Sequence, residues 1–307
     1  IIKNKKIHNP HKKELKKNFC KLVLNDEDFK KLSKKIHSVL DKNNGELSKK
    51  IDTKYFELKK HESKENIAAS GEKKFNINFY NYLSNDLRRE IFKFSISNKM
   101  LSLATDYLKV FPFLAKVIVY KNYPTEFPQR GSMLWHKDDF GYKSLDLFLN
   151  ISSVDDESGP LHAVKKNDSL GVYSKSIYEI TNPVRGERGK LDNKYVNEKD
   201  NKDKFFKLSG QGNALLIDSF RVYHRGGHCK NKTRLMLRFS YQTKDCLRLY
   251  NTDADTEYLS IMNEDELQNY FVKELVFFKS NKFNDKIRNL LIKLYRVLYY
   301  KKVDLFS

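Results

Sequence analysis

After Phe113 the sequence breaks into short apolar runs of strand length, each closed by a turn signal, and this constrains the fold more than any other feature of the chain. The runs are Ala115 to Tyr120, Ser132 to His136, Leu145 to Ile151, Leu161 to Val164, Ala214 to Ile217 and Leu235 to Tyr241. Many short strands with Gly or Pro between them are the pattern of an antiparallel barrel or jelly roll. The stretch from Ser169 to Lys207 is polar, carries Arg185-Gly186-Glu187-Arg188-Gly189 in its middle, and reads as a long insertion between strands. Such loops in compact domains are functional lids or disordered segments.

Helical patterns flank this region. Phe29, Leu32, Ile36 and Leu40 fall three or four apart on one face, with Asn25 or Asp26 placed to cap the helix and Asn43-Asn44-Gly45 to end it. A second helix is expected from about Asn98 to Val110, stopping before Pro112. Beyond Asp253 the pattern returns in Glu264 to Phe278 and Asp285 to Tyr300. The last of these has a wide apolar stripe ringed by Lys and Arg, which predicts packing against the barrel or a second subunit before it predicts membrane contact.

The chain of 307 residues, 39% of them hydrophobic, can bury a proper core. Its 21 Phe and 18 Tyr against 12 Gly and 6 Pro exclude a collagen-like or low-complexity chain. The formal charge of +20 invites a nucleic-acid reading. The excess is scattered Lys beside many Asn and Ile, without aromatics spaced for base stacking, so it is read as compositional. Cys20, Cys229 and Cys246 are far apart and form no C-x-x-C pair, which suits a reducing compartment. With no secretory leader and no run of eighteen apolar residues, a soluble cytoplasmic protein is expected. The chain opens on Ile1, which leaves room for an upstream piece.

The chemistry-bearing stretch is Trp135-His136-Lys137-Asp138. Residues two apart in a strand share a face, so His136 and Asp138 present an imidazole and a carboxylate side by side. Alone the pair is weak evidence, since about half of chains of this composition would carry an H-x-D by chance. A second block raises it: Gly212 to Asp218, then Tyr223-His224-Arg225-Gly226-Gly227, then Thr233-Arg234-Leu235-Met236-Leu237-Arg238-Phe239. His224 completes a two-histidine, one-carboxylate face that leaves three metal positions open. Arg234, ten positions on, offers a two-pronged donor for a carboxylate. Arg238 shares the face of Arg234 and is the alternative anchor, with spacing favouring Arg234.

In order, spacing and flanking residues these blocks resemble the phytanoyl-CoA dioxygenase-like family of Fe(II)/2-oxoglutarate-dependent oxygenases. The resemblance covers roughly residues 113 to 243 and includes Leu145 to Ile151, the acidic turn Val154-Asp155-Asp156-Glu157-Ser158-Gly159-Pro160-Leu161, and Arg225-Gly226-Gly227 after the distal histidine. It departs where many relatives read Gly-Ser-His and this chain reads Val164-Lys165-Lys166-Asn167-Asp168. It implies a mainly β fold with flanking helices (α+β) and a double-stranded β-helix (jelly roll, cupin-like) core. The expected organisation is a helical N-terminal support region over 1–112, a catalytic core over 113–243 and a C-terminal helical extension over 244–307, together one catalytic domain.

The resemblance further implies iron held by His136, Asp138 and His224, 2-oxoglutarate held by Arg234, and O2 as second cosubstrate. Hydroxylation or a related C–H oxidation of a small molecule is expected, with succinate and CO2 as coproducts. Halogenation is disfavoured because halogenases of this group lack the metal carboxylate. The rivals are an oxygenase acting on nucleic acid or protein, and a barrel with a dead site serving as a binding protein. Among other residues, His228 is the rival third ligand and reads as a surface histidine. His162 is left open between a supporting and a structural role, and His8, His11, His37 and His61 read as solvated. Tyr120 reads as a packed core tyrosine before a cosubstrate contact. Trp135 and Phe140 read as barrel packing before pocket wall, and the Arg185 to Lys190 cluster as a solvated loop or an anion site.

Overall fold

A computed structural model of the chain describes residues 19–41, 46–60, 76–109, 112–125, 131–133, 135, 136, 138, 144–164, 205–219 and 221–243. The elements in chain order are β1 (Phe19–Val23), α1 (Glu27–Asp41), α2 (Glu46–Lys60), β2 (Asn76–Asn78), α3 (Asn85–Ser95), α4 (Asn98–Leu108), β3 (Phe113–Asn122), β4 (Ser144–Asn150), β5 (Leu161–Val164), β6 (Phe205–Leu208), β7 (Asn213–Ile217), β8 (His224–Arg225) and β9 (Arg234–Gln242). The C-terminal helices expected beyond Asp253, the Arg185 to Lys190 cluster and Phe140 lie outside the described residues.

The strands form a six-stranded sheet in the order β1-β7-β4-β9-β3-β2 and a three-stranded sheet in the order β6-β5-β8, with every pairing antiparallel. From β3 onward the chain shuttles between them: β3 and β4 lie in the large sheet, β5 and β6 in the small one, then β7, β8 and β9 alternate.

Strand parity sorts the side chains of the large sheet. Val117, Val119, Leu145, Leu147, Leu149, Leu235, Leu237, Phe239 and Tyr241 point outward into the main core, which they share with α1, α3 and α4 through Phe29, Ile36, Ile91, Phe92, Leu103 and Leu108. Tyr120, Phe148, Leu215, Ile217 and Met236 point the other way and meet Leu161, Ala163 and Leu208 of the small sheet in a second cluster. Burial on both faces explains why β4 is enclosed at every position. Hydrogen bonds pin the helix layer to the sheet: Ser33 Oγ donates to Ile151 O at 3.3 Å and Tyr241 Oη to Ser95 O at 2.6 Å.

Several expectations need correction. Residues 1–112 do not supply helices alone, because β1 adds to the edge of the large sheet at β7 and β2 to the other edge at β3. Cys20 and Leu22 alternate with Lys21 and Val23, so β1 buries one face only and was hidden in Lys-rich surroundings. Ser132 to His136 is not a continuous strand: Gly131–Met133 is a single 3-10 turn and His136 makes an isolated bridge to His224. Phe205 to Lys207, assigned to the insertion, belong to β6, which pairs with β5.

Among the described residues the two expected N-terminal helices stand in position, and the Asn43-Asn44-Gly45 stop lies outside those residues. Asp26 caps α1, its Oδ1 accepting from Phe29 N at 3.1 Å. Helix α4 ends two residues before the expected Val110, at Leu108, with Lys109 in the left-handed region at φ 64°.

Candidate metal centre between the two sheets

His136 and His224 are tied by two backbone hydrogen bonds, His136 N to His224 O at 3.0 Å and His224 N to His136 O at 2.9 Å. Directly opposed residues of an antiparallel pair project to the same face. Their rings lie 4.4 Å apart between centroids. Asp138 is fixed two residues on, where its N–H donates to Ser219 O at 2.8 Å. Its Oδ1 lies 3.5 Å from His136 Nε2 and its Oδ2 3.7 Å from His224 Nε2. One ligand atom from each of the three residues lies within 4.8 Å of the other two, the only such group of potential metal ligands among the described residues.

The electrostatics suit a cation. His224 Nδ1 lies 3.0 Å from Val222 O and donates to it, which leaves Nε2 as the lone-pair nitrogen on the side of Asp138. Burial, then the neighbouring His136, lowers the His224 pKa to about 4, so the ring is neutral at pH 7. Burial works against ionisation of Asp138, but the Arg238 charge and the His136 hydrogen bond hold its carboxyl well below the usual range. Two imidazole nitrogens and one carboxylate are a hard-to-borderline donor set for a divalent first-row metal.

Arg234 and Arg238 occupy the same inward row of β9, with Met236 between them. They are differently engaged. Arg238 Nη2 donates to Asp138 Oδ2 at 2.6 Å and its Nε to Asp146 Oδ1 at 3.1 Å. Arg234 is buried at 2% exposure, and its Nε and Nη1 have no hydrogen-bond partner. Its Nη2 reaches beneath Gly226, where an added Cβ would sit 3.7 Å away, two residues past His224. A buried, partly unsatisfied guanidinium is costly unless an anion meets it. Tyr120 Oη donates to Met236 Sδ at 3.7 Å, and burial raises its pKa against the lowering effect of both arginines.

No family model matches the chain, and no curated protein matches it. Solved structures do superpose. The non-heme alpha-ketoglutarate-dependent carbocyclase SnoK from nogalamycin biosynthesis aligns at TM-score 0.48 and 12% identity over 84% of this chain and 92% of that one. HygX from Streptomyces hygroscopicus, crystallised with nickel and 2-oxoglutarate, aligns at TM-score 0.46 and 8% identity over 78% and 88%. The epimerase SnoN from the same nogalamycin biosynthesis gives TM-score 0.42 and 13% identity over 75% and 80%. At this distance in sequence and superposition, the site is read from its own geometry.

The remaining singled-out residues sort by parity. Ala163 pairs with His224 and faces inward, so His162, its partner Arg225 and Trp135 face outward from the small sheet. There Arg225 Nε donates to His162 Nδ1 at 3.1 Å, and the Arg225 guanidinium lies 4.8 Å over the Trp135 ring. Trp135 therefore does not wall the metal cluster. His228 is turned away, its Nε2 2.5 Å from Thr125 O. His37 is half-buried and not solvated as expected, with Nε2 3.3 Å from Ile151 O.

Sequence reasoning missed Asp146, fully buried on β4, which accepts from Arg238, Ser219 and Ser240. The signal was available: Asp146 is a carboxylate at an inward position of the apolar run Leu145 to Leu149. The acidic turn also gains a physical role. Asp155 Oδ1 accepts from Ser158 N and Oγ, while Asp155 Oδ2 meets Lys232 Nζ at 2.5 Å, tying this turn to the one after His224. Gly227 is required there, since a Cβ would lie 2.2 Å from Pro160 O.

Proposed function

We propose that the chain is an Fe(II)/2-oxoglutarate-dependent oxygenase of the phytanoyl-CoA dioxygenase-like type that hydroxylates, or otherwise oxidises a C–H bond of, a small molecule. The observation that carries this is the convergence of His136, Asp138 and His224 within 4.8 Å, together with the buried guanidinium of Arg234, whose Nε and Nη1 have no partner. The shuttling of β3 to β9 between two antiparallel sheets supports a double-stranded β-helix over residues 113–243.

His136, Asp138 and His224 would hold the iron, and Arg234 would pair with the distal carboxylate of 2-oxoglutarate. When bound, the iron and its cosubstrate supply oxidative decarboxylation of 2-oxoglutarate by O2 to succinate and CO2, coupled to oxidation of the substrate. The chain's own residues provide positioning and a dry surround. Val222 O fixes the His224 tautomer. Tyr120, Phe148, Leu215, Val222 and Met236 exclude water around the arginine row. Neither Cys20 nor Cys229 forms a disulfide, and no described helix is long and apolar enough to cross a membrane.

The test is release of succinate from 2-oxoglutarate in the absence of any substrate. We expect slow turnover that requires Fe(II) and falls by about 10²-fold or more in His136→Ala. Turnover that ignores the metal, or survives in His136→Ala, would sink the mechanism. An unaltered zero rate in a protein that binds neither metal nor 2-oxoglutarate would assign the barrel to a binding role.

A further inference from the structure

Arg238 has no part in the function proposed above, yet it touches two carboxylates of the site. Its Nη2 takes Oδ2 of Asp138 at 2.6 Å, its Nε takes Oδ1 of Asp146 at 3.1 Å, and its guanidinium lies 4.9 Å over the Phe148 ring. Asp146 is itself fixed by the hydroxyls of Ser219 and Ser240, and Ser219 O receives the Asp138 N–H. The arginine thus spans a rigid network on one side and the candidate metal carboxylate on the other. The two oxygens of Asp138 are thereby distinguished: Oδ1 faces His136 Nε2 at 3.5 Å, while Oδ2, 3.7 Å from His224 Nε2, takes the guanidinium at 2.6 Å.

We infer that Arg238 is a positioning residue that holds back the second oxygen of Asp138, so that this carboxylate offers a metal one oxygen and not two. The inference rests on the proposed metal site. Carboxylates bind divalent cations through either one or both oxygens. With two histidines, a one-oxygen carboxylate leaves three metal positions open, whereas a two-oxygen grip leaves two. A 2-oxo acid binding through two oxygens, together with O2, needs all three. Arg is suited to the task because its planar fork can serve two carboxylates at once and stays protonated at any working pH. A lysine could serve only one of them at full strength.

The test uses the full chain loaded with Mn(II), whose exchangeable waters are counted by water-proton relaxation, together with calorimetric titration of 2-oxoglutarate into that form. Wild type, Arg238→Lys and Arg238→Met are compared after circular dichroism confirms their fold. Both variants are expected to lose about one exchangeable water and to bind 2-oxoglutarate about tenfold or more weakly, the scale of one charge-assisted hydrogen bond.

An unchanged water count with affinity within about twofold would make Arg238 a structural ion pair and overturn the inference. Full recovery of both readouts in Arg238→Lys would assign the effect to charge alone and overturn it too. If Arg238→Met does not fold, the lysine variant decides. A wild-type chain that binds no Mn(II), or a His224→Ala variant that binds it equally well, would instead overturn the metal site itself. That outcome is distinguishable from normal metal binding with an inert Arg238.

Discussion

Replacing Arg234 with Met keeps the length and apolar stem of the side chain and deletes the guanidinium whose Nε and Nη1 lie buried without a partner. A buried donor left unsatisfied costs about 1–3 kcal/mol, and more when charged. Removing two, with some loss of packing in exchange, should stabilise the metal-free protein by roughly 1–3 kcal/mol. In a domain of roughly this size that is a rise in melting temperature of about 2–4 °C per kcal/mol. The effect on 2-oxoglutarate runs the other way. Two charge-assisted hydrogen bonds are worth about 1.5–3 kcal/mol each, so their loss should weaken cosubstrate binding by about 10²- to 10⁴-fold. Differential scanning fluorimetry of the metal-free protein and 2-oxoglutarate titration of the metal-loaded protein measure the two sides. An arginine held for structure predicts a lower melting temperature on substitution. A variant that melts lower and binds 2-oxoglutarate within about tenfold of wild type would refute the assignment.

Acid should weaken the metal-free fold through two buried histidines. Burial and then Arg225 lower the His162 pKa to about 3, and burial lowers that of His224 to about 4, so neither takes up a proton on folding near neutrality. The unfolded chain protonates both near the ordinary value of about 6.5, so stability is intact above that pH and falls below it. Urea unfolding between pH 6 and pH 5 should show a loss of roughly 2–3 kcal/mol per pH unit from the pair. About half of it should vanish in His162→Gln. The paired glycines after Arg225 should differ: Gly227→Ala drives a Cβ to 2.2 Å from Pro160 O and 2.5 Å from Gly159 C, and should destabilise by about 3 kcal/mol or more. Gly226→Ala meets nothing closer than 3.5 Å and should change the melting temperature little.

The outward rows of the large sheet and the helix α1 were legible because each follows one period of alternation through to a buried face. His136, Asp138 and His224 were legible as a set from the H-x-D pair and the later His224 block, although His136 forms only an isolated bridge to His224 and not the expected strand. What escaped was pairing at a distance. Phe19–Val23 looks like part of a Lys-rich tail until β7 is known to need an edge partner. Phe205–Leu208 is four residues at the end of a polar segment and gains its strand identity from β5. The division of labour between Arg234 and Arg238 was only ranked by spacing, which favoured Arg234 as the anchor, since both share one face. Only the position of Asp146, in another strand, separates the arginine already satisfied from the one that is not.

The alternation along β9 carries a consequence for how such a chain can change over time. Arg234, Met236 and Arg238 face inward, and Leu235, Leu237 and Phe239 face the helices, so the same strand writes the chemistry on its even positions and the packing on its odd ones. Substitution can edit either set alone. Gain or loss of a single codon cannot, because a one-residue slip would send the guanidinium groups into the apolar layer and the leucines into the site at once. Within β9 this gene can therefore change its letters but not its length.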